Sequence, residues 1–83
     1  MARRSKGARE RNAMHGRVAR RLGVTVRRLR QARGWTMKAA AERFGVVAVT
    51  LRRIESGVGN PSLAILFQIA RHFRVSLSDL FRR

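Results

Sequence analysis

The apolar residues of this chain fall into short runs of helical period, separated by glycines and small polar residues. Leu22, Val26 and Leu29 recur at i, i+4 and i+7, while Arg27, Arg28, Arg30 and Arg33 lie mostly off that face, which predicts one amphipathic helix. Gly34 follows a basic last turn and stops it. Thr36 is placed to cap a second helix, MKAAAERF, with Ala40, Ala41 and Phe44 inward, and Gly45 ends it. A third helix follows within two or three residues, roughly 47 to 55, with Leu51 and Ile54 inward and Ser56-Gly57 closing it. GVGNP is loop by composition. Ser62 caps a fourth helix, LAILFQIARHF, with Leu63, Leu66, Phe67, Ala70 and Phe73 on one face. Ser76 and Asp79 are spaced as a capping box for a short fifth helix carrying Leu77, Leu80 and Phe81. Five short helices and no convincing strand predict an all-α fold.

The first twenty residues, MARRSKGARERNAMHGRVAR, do not share this pattern. Only Met14 and Val18 could add much to a core, so residues 1–20 are expected to be a basic, flexible N-terminal arm ahead of a domain over 21–83. The alternative is a helix continuing into the next segment. Arg3, Arg4, Lys6, Arg9 and Arg11 are the arm's leading cations, followed by Arg17, Arg20 and Arg21 at its end.

Charge narrows the choice of partner. Twenty Lys and Arg against four Asp and Glu give a formal net charge of +16 over 83 residues. Nearly all the cations are Arg, whose planar fork suits phosphates and base edges better than an ammonium does. A polyanion is the expected partner: nucleic acid first, an acidic membrane surface second, an acidic protein third. A chain this short buries only about 60–65% of its unfolded surface, leaving little room for a catalytic cavity. The absence of cysteine rules out disulfides and thiolate zinc sites and fits a reducing cytoplasm. No apolar stretch approaches the ~18 residues of a membrane span. His15 and His72 are far apart, with no helical His/Asp/Glu pair to form a metal site. Gly57-Val58-Gly59 lacks the remainder of a phosphate-binding loop. No enzyme activity and no cofactor are expected.

Residues 22 to 81 resemble the helix-turn-helix domain of the Cro and phage-repressor type, the XRE family. The matching pieces are Leu22-Gly23 and Val26-Arg27-Arg28-Leu29-Arg30, then Ala41-Glu42-Arg43-Phe44-Gly45-Val46 through the turn, then Ile54-Glu55-Ser56-Gly57. Asn60-Pro61-Ser62-Leu63 and Val75-Ser76-Leu77-Ser78-Asp79-Leu80-Phe81 complete the match, in the right order. The resemblance implies a five-helix, lambda-repressor-like domain that binds double-stranded DNA as a homodimer on a palindromic operator, with its third helix in the major groove. It assigns base contacts to Ala48, Val49, Arg52 and Arg53, and DNA-backbone contacts to Thr36, Met37, Lys38, Val47, Thr50, Ser56 and Asn60. It also pairs Arg30 with Glu55 as a structural ion pair.

In chemical terms, Ala48 and Val49 offer methyl groups to thymine, and Arg52 and Arg53 offer bidentate donors to guanine. Met37 stands where second helices of the family often begin with Gln. Val47 stands at an N-cap where Ser or Thr is common, which leaves helix N–H groups free for a DNA phosphate. The surplus of apolar residues on the fourth and fifth helices, Ile65, Ile69, Leu77, Leu80 and Phe81, is expected to form the dimer interface. A transcriptional regulator acting as repressor or autoregulator is the function expected. Alternatives are an antitoxin or restriction-modification controller of the same fold, a protein-interaction module that has kept the fold, or a nonspecific polycation.

Overall fold

The computed structural model describes the backbone of residues 6–82 and the side chains of residues 16–82. Four α-helices and one 3-10 turn follow in order: α1 (Lys6–Ala32), α2 (Met37–Phe44), α3 (Ala48–Glu55), α4 (Leu63–Phe73) and the turn Ser78–Phe81. There is no strand among the described residues.

At the N-terminal end the helical alternative is the one observed, and at the C-terminal end one expectation is corrected. Residues 6–20 are helical and continuous with the stretch from Arg21, so no break in the backbone marks the anticipated arm. The run contains no proline, and its Arg and Ala are good helix formers. With Ala19, Leu22 and Val26 already packed, each added residue gains a hydrogen bond without needing an apolar face of its own. Arg3 and Arg4 lie outside the described residues, as do the side chains of Lys6, Arg9 and Arg11. At the other end, the predicted fifth α-helix is a single 3-10 turn, so the α-helices number four. Its bonds run between residues three apart, Asp79 N to Ser76 O at 3.1 Å and Leu80 N to Leu77 O at 3.1 Å. The capping box forms reciprocally: Asp79 N donates to Ser76 Oγ at 3.1 Å and Ser76 N to Asp79 Oδ2 at 3.0 Å. A four-residue element closed this tightly has no length for an i to i+4 ladder.

The core joins all the elements: Leu22 and Val26 from α1, Ala40, Ala41 and Phe44 from α2, Leu51 and Ile54 from α3, Ile69, Ala70 and Phe73 from α4, and Leu80 from the turn. Phe44 and Phe73 meet edge to face at 5.3 Å between ring centroids, and Trp35 stacks on Phe73 at 5.5 Å as a lid. Arg43 covers the outer face of that indole at 4.5 Å, a cation–π contact.

Helix α4 differs from its predicted orientation. Ile69, Ala70 and Phe73 point inward and Leu66 is half-buried, whereas Leu63 and Phe67 are 59% and 55% exposed. The helix is therefore turned by roughly 50° from the face the periodicity selects. Leu63, Ala64, Ile65, Leu66 and Phe67 form an unbroken apolar run, and a helix greasy on most sides does not declare its inward face. The dimer-interface expectation changes accordingly. Ile69 and Leu80 are fully buried in this chain's own core, and Ile65, Leu77 and Phe81 are half-buried against it.

Candidate nucleic-acid interface

Helix α3 is short and is positioned by its neighbours. The turn from α2 depends on Gly45, at φ +73°, a conformation L side chains adopt at a cost. Val46 N then donates back to Ala41 O at 3.0 Å, closing α2 and aiming the chain into α3. Leu51 and Ile54 anchor α3 underneath, with Leu51 wholly buried.

Two further contacts fix the C-terminal half of α3 against α1. The first is a close crossing at Gly23, where a Cβ would sit 2.6 Å from both the Ile54 and Glu55 carbonyl oxygens. Only a residue without a side chain allows that approach. The second is a fork between Arg30 and Glu55: Nε donates to Oε2 at 2.6 Å and Nη2 to Oε1 at 3.0 Å. Arg30 Nη1 also donates to the Trp35 carbonyl at 3.0 Å, tying the α1–α2 connection to the same group. The paired side chains are only 13% and 6% exposed. Hydrogen bonding to Glu55 holds the Arg30 guanidinium above its ordinary pKa, with Coulombic attraction adding to this and burial opposing it.

With one side anchored, α3 presents the other. Val47 and Val49 are 64% and 56% exposed, and Arg52 and Arg53 are exposed beyond them. Ala48 is half-buried and packed against the core, so its methyl faces outward less than expected. The two arginines part to opposite flanks. Arg52 borders a groove of about 260 Å³ with Arg27, Arg30, Met37, Glu55 and Ser56. Arg53 borders one of about 290 Å³ with Thr50, Val58, Gly59 and Asn60, among others, and its Nε lies 3.6 Å from where a Cβ on Gly59 would be.

The remaining assigned residues ring this surface with differing capacities. Thr36 Oγ1 accepts from Ala39 N at 3.0 Å, and its own proton stays available. Lys38 and Asn60 are exposed, and Met37 and Thr50 are half-buried. Ser56 fits less well as a phosphate donor, because its hydroxyl proton goes to the Arg52 carbonyl at 2.9 Å. Val47 has the extended backbone of an N-cap and makes no side-chain cap bond. Arg27, Gly59 and Gly23 belong to the arrangement, although the sequence gives none of them a place in the site. Arg27 stands three residues before Arg30, and that i, i+3 spacing was the available signal. The crossing at Gly23 had no local signal.

Comparison with known proteins agrees with this geometry. The model of the family HTH_3, Helix-turn-helix, matches residues 26–80. The chain is 39% identical over 61 residues to the HTH-type transcriptional regulator SutR of Escherichia coli, spanning 74% of this chain and about a third (34%) of SutR. It is 38% identical over 60 residues to an uncharacterized HTH-type transcriptional regulator of Archaeoglobus fulgidus, covering 72% of this chain and 86% of that one. Among solved structures it is similar to the clp gene regulator ClgR of Corynebacterium glutamicum, with TM-score 0.71, 25% identity, and 76% of this chain and 67% of that chain covered. It is equally similar to the restriction-modification controller protein C.AhdI of Aeromonas hydrophila, with TM-score 0.72, 25% identity, and coverage of 76% and 96%. The chain belongs to the HTH_3 helix-turn-helix family.

Proposed function

We propose that the protein is a sequence-specific, double-stranded-DNA-binding transcriptional regulator that lays α3 in the major groove. The observation that carries this reading is the division of α3 into a fixed inner face and a free outer one. Leu51, Ile54, Glu55 and the Gly23 crossing hold one side, while Val49, Arg52 and Arg53 stand in solvent. The flanking arginines read guanine edges, Val49 meets thymine methyl groups, and Thr36 and Lys38 hold the backbone. The reading unit is residues 21–83, with the basic segment 1–20 adding phosphate attraction. The protein works as a homodimer on a palindromic operator in the cytoplasm, its α4 faces meeting through the exposed Leu63 and Phe67.

Selection from random duplexes should yield a two-fold symmetric consensus. In that consensus Arg53→Ala should relax the preference at one base position, by roughly 1–3 kcal/mol. A substitution such as Arg17→Ala should weaken all sequences alike and flatten the salt dependence by about one log unit per log unit. An unselective protein, or equal effects of Arg53→Ala and Arg17→Ala, would reject base reading by this helix. A role as restriction-modification controller is a specific form of the proposal, supported by the 96% coverage of C.AhdI. The exposed Val47 and Val49 favour a second reading, in which α3 docks on a protein. That reading predicts no preference among duplexes.

A further inference from the structure

Helix α1 carries a second surface that the DNA-reading face does not use. Arg20, Arg21, Val24, Thr25 and Arg28, together with Arg82 from beyond the 3-10 turn, border a depression of about 360 Å³. Its wall is built by tertiary structure: Thr25, almost wholly buried, donates from Oγ1 to the Arg82 carbonyl at 3.2 Å. At one end Arg20 packs on Gly57, where a Cβ would come within 2.8 Å of Arg20 Cγ. The floor is apolar, with Val24 62% exposed among the aliphatic stems of the arginines. The rim is four guanidinium groups, of which, among the described residues, only that of Arg82 has a carboxylate partner, Asp79 Oδ1 at 3.3 Å.

The orientation of α1 separates this depression from the side that meets α3. Gly23 faces α3. At about 100° per residue, Val24 is turned roughly 100° away from it, and Arg28 and Arg21 roughly 140–160°. A duplex held by α3 therefore leaves the floor of the depression uncovered.

The geometry points to a docking site for an acidic, amphipathic segment of a partner protein, with one apolar side chain seated on Val24 and flanking carboxylates held by Arg20, Arg21 and Arg28. Charge complementarity identifies the acidic component, because forked guanidinium groups bind carboxylates bidentately. The apolar floor identifies the rest: a sugar-phosphate backbone offers it only the C–H edges of sugars between charged phosphates, whereas a branched aliphatic peptide side chain covers it. The volume suits one such side chain with its neighbours.

The test uses the full chain at near-physiological salt and two fluorescent twelve-residue probes, one alternating Glu and Leu and the other all Glu. The Glu-Leu peptide should bind about tenfold more tightly despite its lower charge. Val24→Ser should abolish most of that advantage, and Val24→Ala, which keeps the helix, should reduce it. Arg28→Gln should weaken both probes. The Glu-Leu peptide should also remain bound when one equivalent of the selected operator duplex is added. Stronger binding of the all-Glu probe, indifference to both Val24 variants, or displacement by the duplex would overturn the assignment. The probe comparison and the Val24 and Arg28 variants are read without DNA, so a failure of the operator selection counts against DNA reading and leaves those results standing.

Discussion

Helices α2 and α3 have the same length, eight residues each, and are joined through one glycine turn, yet they are secured by different means. α2 buries Ala40, Ala41 and Phe44 and is capped by Thr36. α3 buries only Leu51 and Ile54 and has no side-chain cap. Its missing stability comes from α1, through a buried ion pair and a contact of backbone on backbone. An element that must leave one face and one end open for a partner cannot use them for its own packing. Its fixing points therefore move to the opposite face and end.

If that division is right, the ion pair is the costliest feature to break. Arg30→Met should destabilise the fold by up to about 3–5 kcal/mol, because it leaves the Glu55 carboxylate, 6% exposed, without its partner. Glu55→Leu should cost a comparable amount by stranding Arg30. The double variant Arg30→Met/Glu55→Leu should recover much of either loss, and chemical denaturation of all four proteins gives the coupling. A fully additive cycle would mean the pair is not a unit.

Gly23→Ala is expected to have the next largest effect. A methyl group 2.6 Å from two carbonyl oxygens cannot be accommodated by a rotamer change, because the obstacle is main chain. Forced separation of packed elements costs about 1–3 kcal/mol. α3 should also shift, so affinity for the selected operator should fall by more than the loss of folded protein explains. The matching change at Gly16, whose nearest neighbour is the Arg20 guanidinium tip at 3.5 Å, should be neutral or stabilising through helix propensity.

What the sequence disclosed follows the same division. Caps and stops are local chemistry, so Thr36, Ser62, Gly34 and Gly45 announced their roles, and each has that role in the structure. The resemblance supplied the partnership of Arg30 and Glu55, which no periodicity could link across 25 residues. The inward face of α4 is not legible in the sequence, because Leu63 to Phe67 offers apolar residues in every direction and only the tertiary core selects Ile69 over Phe67. Gly23 entered only as part of the Leu22-Gly23 match, since the close crossing it makes depends on the distant carbonyls of Ile54 and Glu55. The helical backbone of 6–20 stands in the sequence only as the alternative to an arm, because the segment has no apolar stripe to announce a helix.

The helix starts sharpen the comparison at smaller scale. Thr36, Val47 and Ser62 have nearly the same N-cap backbone, with φ/ψ of −70/165, −79/156 and −69/160 degrees. Thr36→Ala should therefore cost about 1 kcal/mol, and Val47→Ser should gain less than that, because the Thr50 amide its hydroxyl would bind already donates to the Val47 carbonyl at 3.0 Å. The Val47 change also separates stability from function. If the open amides of α3 hold a DNA phosphate, the stabilised variant should bind duplex more weakly and with a reduced salt slope. Equal or tighter binding by Val47→Ser would show that the missing cap serves no partner.

The smallest effect belongs to the capping box of the 3-10 turn, and it is read by pH. Asp79 is held below the ordinary carboxylate pKa first by the Ser76 backbone N–H, then by the Ser76 hydroxyl, with Arg82 adding a Coulombic contribution. A folded-state pKa below the unfolded one contributes stability that is fully present above the unfolded value, about 3.9, and is lost as pH falls through the folded one. The stability difference between the native chain and Asp79→Asn should therefore be flat at neutral pH and shrink only on acidification below about pH 4. The exposed carboxylate keeps the difference small. No difference between the two proteins at neutral pH would mean the turn is held by Leu80 in the core alone, and the box contributes nothing to the end of the chain.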